Sequence, residues 1–158
     1  MQPWVKYAEY SKRFSDGRCG DIMESAIKRK IRVLLTKFDL ESHDRGIFLV
    51  SKMLQDAGME VILYIFQETE EIVRIAVQEN VDVIGITASS GDTHMIFLPE
   101  VVERLREEGM ERIMVIGGGR IFGDDLQVLL EKGVSGMFGP GAQREEIVNF
   151  IKENVRLS

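Results

Sequence analysis

From Ile31 onward the chain alternates short runs of β-branched and aliphatic residues with longer segments whose apolar positions recur every three or four residues. The apolar runs predict strands at Ile31–Thr36, Glu60–Ile65, Val81–Thr87, Arg112–Ile116 and Val134–Phe138. Each is nearly continuous in Val, Ile, Leu or Met, the pattern of strands covered on both faces within a parallel sheet. The intervening segments predict helices at Asp44–Ala57, Thr69–Glu79, His94–Glu108 and Asp124–Lys132, with Arg144–Val155 closing the chain. In the third of these, Ile96, Phe97, Val101, Val102 and Leu105 share one side, while Glu100, Glu103, Arg104, Arg106 and Glu107 occupy the rest.

Strand–helix alternation with right-handed crossovers predicts an open α/β fold. Five units fit a flavodoxin-like (Rossmann-like), doubly wound, five-stranded parallel sheet in the order 2-1-3-4-5, whose switch point falls between the first and third strands. Ligands of such sheets bind outside the carboxyl ends of the strands, near that point. The loops expected there are Lys37–His43, Ala88–Thr93, Gly117–Phe122 and Gly139–Gly141. Glycines concentrate in them: Gly117, Gly118 and Gly119 are consecutive, and Gly139 and Gly141 flank Pro140. Backbone without Cβ atoms admits a bulky or planar ligand, although glycines after strands also simply make turns.

Residues 1–30 differ from the rest. Trp4, Tyr7, Ala8, Ser11 and Phe14 fall on one helical stripe, followed by breaks at Asp16-Gly17 and Cys19-Gly20. This N-terminal helical extension reads either as a helix covering one edge of the sheet or as a docking arm for a partner chain. The expected division is an arm over 1–30 and a ligand-binding domain over 31–158.

The chain has 158 residues, enough for one domain but short of the roughly 250 that a (β/α)8 barrel needs. With 20 Lys and Arg against 26 Asp and Glu, its net charge is −6, which argues against a binder of nucleic acid or of anionic membrane surfaces. One cysteine, Cys19, makes neither an internal disulfide nor a cysteine metal cluster, and no signal stretch opens the chain. No apolar run approaches the roughly 18 residues of a membrane span. The expected compartment is the cytoplasm.

The loop after the first strand carries the chemistry. It reads Lys37-Phe38-Asp39-Leu40-Glu41-Ser42-His43-Asp44-Arg45-Gly46 and then becomes helical. His43 therefore stands at the mouth of the sheet just before a helix. Asp44 is a suitable N-cap, and the positive end of the macrodipole disfavours an imidazolium there. A neutral imidazole coordinates metal. Glu41, two residues earlier, is placed to accept the other ring N–H, an arrangement that orients a ligating histidine. Gly46 in the first turn allows close approach of a large group.

These residues resemble the cobalamin-binding domain of methylmalonyl-CoA mutase-like acyl-CoA mutases, whose signature is Asp-x-His-x-x-Gly after the first strand, Ser-x-Leu after the third and Gly-Gly after the fourth. His43-Asp44-Arg45-Gly46 is similar to the mutase form; corrinoid methyltransferases tend to carry Ile in place of this Arg. Gly118-Gly119 matches the Gly-Gly element. Leu98-Pro99-Glu100, Gly133-Val134-Ser135 and Phe138-Gly139-Pro140-Gly141 are further matches. The resemblance covers residues 31–155, with the motifs in order.

The resemblance implies that His43 replaces the nucleotide base of adenosylcobalamin as lower axial ligand to cobalt. It implies that the displaced nucleotide tail lies in a groove lined by Thr87, Ala88, Ser89, Ser90, Gly118, Gly119 and Phe138 to Gly141, with Glu41, Ser42, Asp44, Arg45 and Gly46 beside the corrin. The implied activity is that of the cofactor-carrying small subunit of a carbon-skeleton isomerase. Its substrate, an acyl-CoA, would sit in a large barrel subunit. Two positions depart from the family pattern: Glu41 replaces Asp, and Thr87-Ala88-Ser89 lacks the Leu of Ser-x-Leu. His94 is read as a helix-start or groove residue and not as a second cobalt ligand. Alternative readings are a corrinoid carrier for methyl transfer, a receiver-like switch of the same topology, or a cofactor-free binding module.

Overall fold

In a computed structural model, which describes residues 29–38, 45–66, 68–88 and 91–157, the chain forms one five-stranded, wholly parallel sheet. The strands are β1 (Arg32–Phe38), β2 (Glu60–Phe66), β3 (Val83–Ala88), β4 (Met114–Gly119) and β5 (Gly136–Phe138), in the order β2-β1-β3-β4-β5. The helices are α1 (Arg45–Asp56), α2 (Thr69–Gln78), α3 (Gly91–Glu107), α4 (Asp125–Glu131) and α5 (Arg144–Asn154). The architecture is the flavodoxin-like one expected from the alternation.

Side chains alternate across the sheet and divide the core in two. Leu34, Ile84, Ile86 and Val115 face α2, α3 and α4, where they pack on Ile72, Ala76, Leu98, Val101, Leu105 and Leu129. Val33, Leu35, Val83, Met114 and Ile116 face α1 and α5, against Ile47, Leu54, Ile147, Val148 and Ile151. Local chemistry sets the helix ends. The Glu71 carboxylate accepts the Glu68 N–H at 3.4 Å, and Glu146 accepts that of Gln143 at 3.4 Å, so two first turns have an acidic group satisfying an orphan donor. After α4, Gly133 takes φ +99 while its N–H bonds the Leu130 carbonyl, a chain reversal that residues with a Cβ disfavour.

Several expectations are corrected. β2 is an edge strand with Glu60, Leu63 and Ile65 exposed, not a strand covered on both faces. β4 runs through Gly117, Gly118 and Gly119, which were expected as loop, because ladder bonds to β3 continue to the Ala88–Gly119 pair. β1 likewise extends through Lys37 and Phe38. α3 starts at Gly91, three residues early, and its inward stripe is His94, Leu98, Val101 and Leu105, at the i, i+4, i+7, i+11 spacing of one helical face. Ile96, expected on that face, is 60% exposed. The anticipated N-terminal stripe of Trp4, Tyr7 and Phe14 lies outside the described residues, as does Cys19.

Candidate functional site

Register places the candidate residues side by side. Lys37 pairs with Thr87, Thr87 with Gly118, and Gly118 with Phe138, a single row across the carboxyl edge from β1 to β5. Neighbours in such a row point to one face, here the face of α1 and α5, because Leu35 and Ile116 lie two residues before Lys37 and Gly118 on that side. Thr87 and Gly118 are half-buried. The row thus marks the strip of the carboxyl edge, between the start of α1 and the turn leading to α5, where the groove expected from the sequence would lie.

The glycines of this edge divide into two kinds. Among the described residues, a Cβ on Gly118, Gly46 or Gly141 would meet no atom within 4 Å, so none of them fills the space beside these glycines. A Cβ on Gly117 would collide with the Met137 side chain and Leu98, and one on Gly119 with the Ala88 carbonyl oxygen. Those two glycines serve packing. Gly119 also has φ +130, a conformation that L side chains rarely adopt. Of the triple glycine, only Gly118 presents bare backbone to the groove.

Other positions follow from packing. Phe138 stacks edge-on against Phe150 of α5, centroids 5.3 Å apart at 78°. Arg45 and Gly46 open α1 and are exposed, while Gly139 accepts the Ala142 N–H in the turn over Pro140 and Gly141. Glu41, Ser42, His43, Asp44, Ser89 and Ser90 lie outside the described residues. Their flanks are described. Phe38 and Arg45 bracket residues 39–44, and Ala88 and Gly91 bracket the two serines; Phe38 and Ala88 end their strands at the same edge as Gly118.

Two residues take places other than those the sequence suggested. Lys37, read as the start of a loop, is only 6% exposed at the end of β1, on the groove face. His94 is wholly buried on the opposite side of the sheet, with Nε2 2.9 Å from the Gly118 carbonyl oxygen. The sequence signal for Lys37 was a lone cation closing an apolar run; for His94 it was the position four residues before Leu98. Phe38, Phe66 and Phe97 pack mutually at 4.8–5.5 Å just beneath this edge. A cleft of about 570 Å³ lined by Leu105, Arg112, Met114 and Phe150 opens at the opposite, amino end of the sheet, remote from the row. Among the described residues no group of three or more His, Cys, Asp or Glu could hold a metal ion, and no helix is long and apolar enough to cross a membrane.

Residues 31–149 match the B12 binding domain. The chain belongs to the B12 binding domain family. It is 44% identical over 124 residues to the pivalyl-CoA mutase small subunit of Xanthobacter autotrophicus, covering 78% of this chain and 82% of that one. It is 37% identical to the 2-hydroxyisobutanoyl-CoA mutase small subunit of Aquincola tertiaricarbonis, covering 79% of this chain and 92% of the relative. Against Escherichia coli methylmalonyl-CoA mutase the identity is 34%, over 80% of this chain and 18% of that protein. In fold it is similar to a cobalamin-binding protein from Desulfitobacterium hafniense (TM-score 0.67, 20% identity, 81% of this chain and 60% of that one). It is also similar to the chemotaxis protein CheY4 of Vibrio cholerae (TM-score 0.61, 17% identity, 80% and 99%). A receiver-type protein and a cobalamin-binding one thus share this topology, and the B12 binding domain is distinguished by its sequence.

The residues of the carboxyl edge fit a cobalamin. Bare backbone at Gly46, Gly118 and Gly141 gives room for a large ligand, and the half-buried Thr87 hydroxyl faces the same groove.

Proposed function

We propose that this chain is the cobalamin-carrying small subunit of an acyl-CoA carbon-skeleton mutase. The observation that carries this reading is its 44% identity to a mutase small subunit across 82% of that subunit's length. Residues 31–158 are the cofactor domain and residues 1–30 an arm. The large subunit is a (β/α)8 barrel that binds the acyl-CoA, and the chain is inactive without it.

The cofactor is adenosylcobalamin, held base-off. When bound, it supplies radical chemistry through homolysis of its cobalt–carbon bond. The protein's contribution is position. His43 would hold the cobalt, and Glu41 would accept its other ring N–H, keeping the imidazole neutral and oriented. Ser42, Asp44, Arg45 and Gly46 would help hold the corrin. Thr87, Ser89 and Ser90 offer hydroxyls to the nucleotide tail, and Gly118, Gly139 and Gly141 give it a groove without side chains. Lys37, buried on the same face, places a cation beside this groove.

The test is spectroscopic. Titration of the full chain with adenosylcobalamin, alone and with its large subunit, should produce the base-off, histidine-on absorption spectrum. His43→Ala should abolish that spectrum. Absence of binding by the wild type under both conditions overturns the proposal.

A further inference from the structure

We propose that His94 is a positioning residue for the cofactor edge: its imidazole, as the Nε2–H form, holds the Gly118–Gly119 peptide so that Gly118 keeps its bare face toward the groove. The inference rests on the cobalamin reading given above. His94 occupies the first turns of α3, at the head of the stripe that continues as Leu98, Val101 and Leu105 into the core. It is the one polar side chain on that stripe and is fully buried. A polar ring in this place costs stability unless it is hydrogen-bonded. Its Nε2 stands 2.9 Å from the Gly118 oxygen, and since a carbonyl only accepts, Nε2 must carry the hydrogen.

That carbonyl is on the peptide where β4 departs from ordinary strand geometry. Gly119 follows with φ +130, and a Cβ there would approach His94 Cε1 to 2.9 Å as well as strike the Ala88 oxygen. The imidazole edge therefore fits because residue 119 is glycine. Three elements meet in this knot: the end of β3 at Ala88, the start of α3 at His94, and the end of β4 at Gly118 and Gly119. The start of α3 and the end of β4 are tied by this bond from the far side of the sheet. His94 acts through Gly118 and contacts no ligand itself. A site held by such a supporting bond is organised before the ligand arrives, so the donor affects affinity beyond its effect on folding.

The discriminating variants are His94→Gln, whose Nε2 amide donates from nearly the same place, and His94→Met, which fills volume without a donor. With the full chain and adenosylcobalamin, His94→Met should weaken binding about tenfold or more. His94→Gln should stay close to wild type. On the cofactor-free chain, amide exchange over residues 118–121 should accelerate about tenfold in His94→Met and not in His94→Gln, while the interior of β1 is unchanged. Should His94→Met fail to fold, His94→Asn, which keeps the amide but is too short to reach Gly118, provides the same contrast. Equal behaviour of donor and non-donor variants in both measurements overturns the proposal. If wild-type protein takes up no cobalamin, the functional reading fails, and the exchange comparison alone decides the role of His94.

Discussion

Arg29 grips Asp82 with both terminal nitrogens, Nη1 to Oδ2 at 2.9 Å and Nη2 to Oδ1 at 2.7 Å, and the aspartate is completely buried. The Asp82 carboxylate also accepts the Arg32 backbone N–H at 2.9 Å, and Arg112 stands 4.0 Å away. This cluster joins the entry of β1 to that of β3 at the amino end of the sheet. Asp82→Ala removes several charge-assisted bonds at once and should lower unfolding free energy by about 2–3 kcal/mol, read by urea denaturation. A change below about 0.5 kcal/mol would show that the cluster is not structural. Cofactor affinity should change little, since the carboxyl edge lies at the other end of the strands.

The triple glycine predicts opposite outcomes at adjacent positions. Gly118→Ala meets none of the described residues within 4 Å and should leave stability within about 0.5 kcal/mol of wild type while weakening cobalamin binding, because the methyl enters the groove. Gly119→Ala should cost at least about 2 kcal/mol, from its positive φ and the collision with Ala88. Thermal denaturation beside a spectral titration separates the two. Equal stability of both variants would contradict the division.

Phe66 is fully buried between Phe38 and Phe97, with ring centroids at 5.5 and 5.2 Å. Phe66→Ala should destabilise by about 3–5 kcal/mol. Because Phe38 is the last residue of β1 before the His43 loop, the same variant should weaken the cofactor-bound spectrum even where the protein remains folded. Retention of wild-type affinity in the folded fraction would separate this cluster from the site.

Asp56 titrates below the usual carboxylate range, chiefly through its hydrogen bond from Lys52, with Arg144 adding a smaller attraction. A carboxyl whose folded pKa lies below its unfolded value contributes stability above the unfolded value and loses it as pH falls through the folded one. Lys52→Met should therefore raise the Asp56 pKa toward normal, measured by carboxyl chemical shift. It should also make the acid limb of the stability curve shallower. An unmoved Asp56 titration would refute the pairing.

Much of this architecture was legible in the chain. Apolar runs separated by amphipathic segments identified all five strands and the order in which they pair, because a strand buried between two helical layers has few polar options. The exceptions share a cause. Gly117 to Gly119 looked like loop because glycine is a turn former, yet β3 and the packing of Met137 and Leu98 hold them in the ladder. Ile96 looked like core because helical spacing alone does not say where a helix begins or which of two overlapping stripes faces the sheet.

By itself the sequence determined the fold class, the family through its His43-Asp44-Arg45-Gly46 and Gly118-Gly119 motifs, and the edge of the sheet where a ligand would sit. These are local or periodic features, and local pattern is what a linear chain displays. Tertiary structure alone decided that Lys37, Thr87, Gly118 and Phe138 share one row, that only Gly118 of its triplet is open, and that His94 reaches that glycine from the far side of the sheet. Register and side-chain direction depend on contacts between residues dozens of positions apart. Only the packed fold brings those residues together.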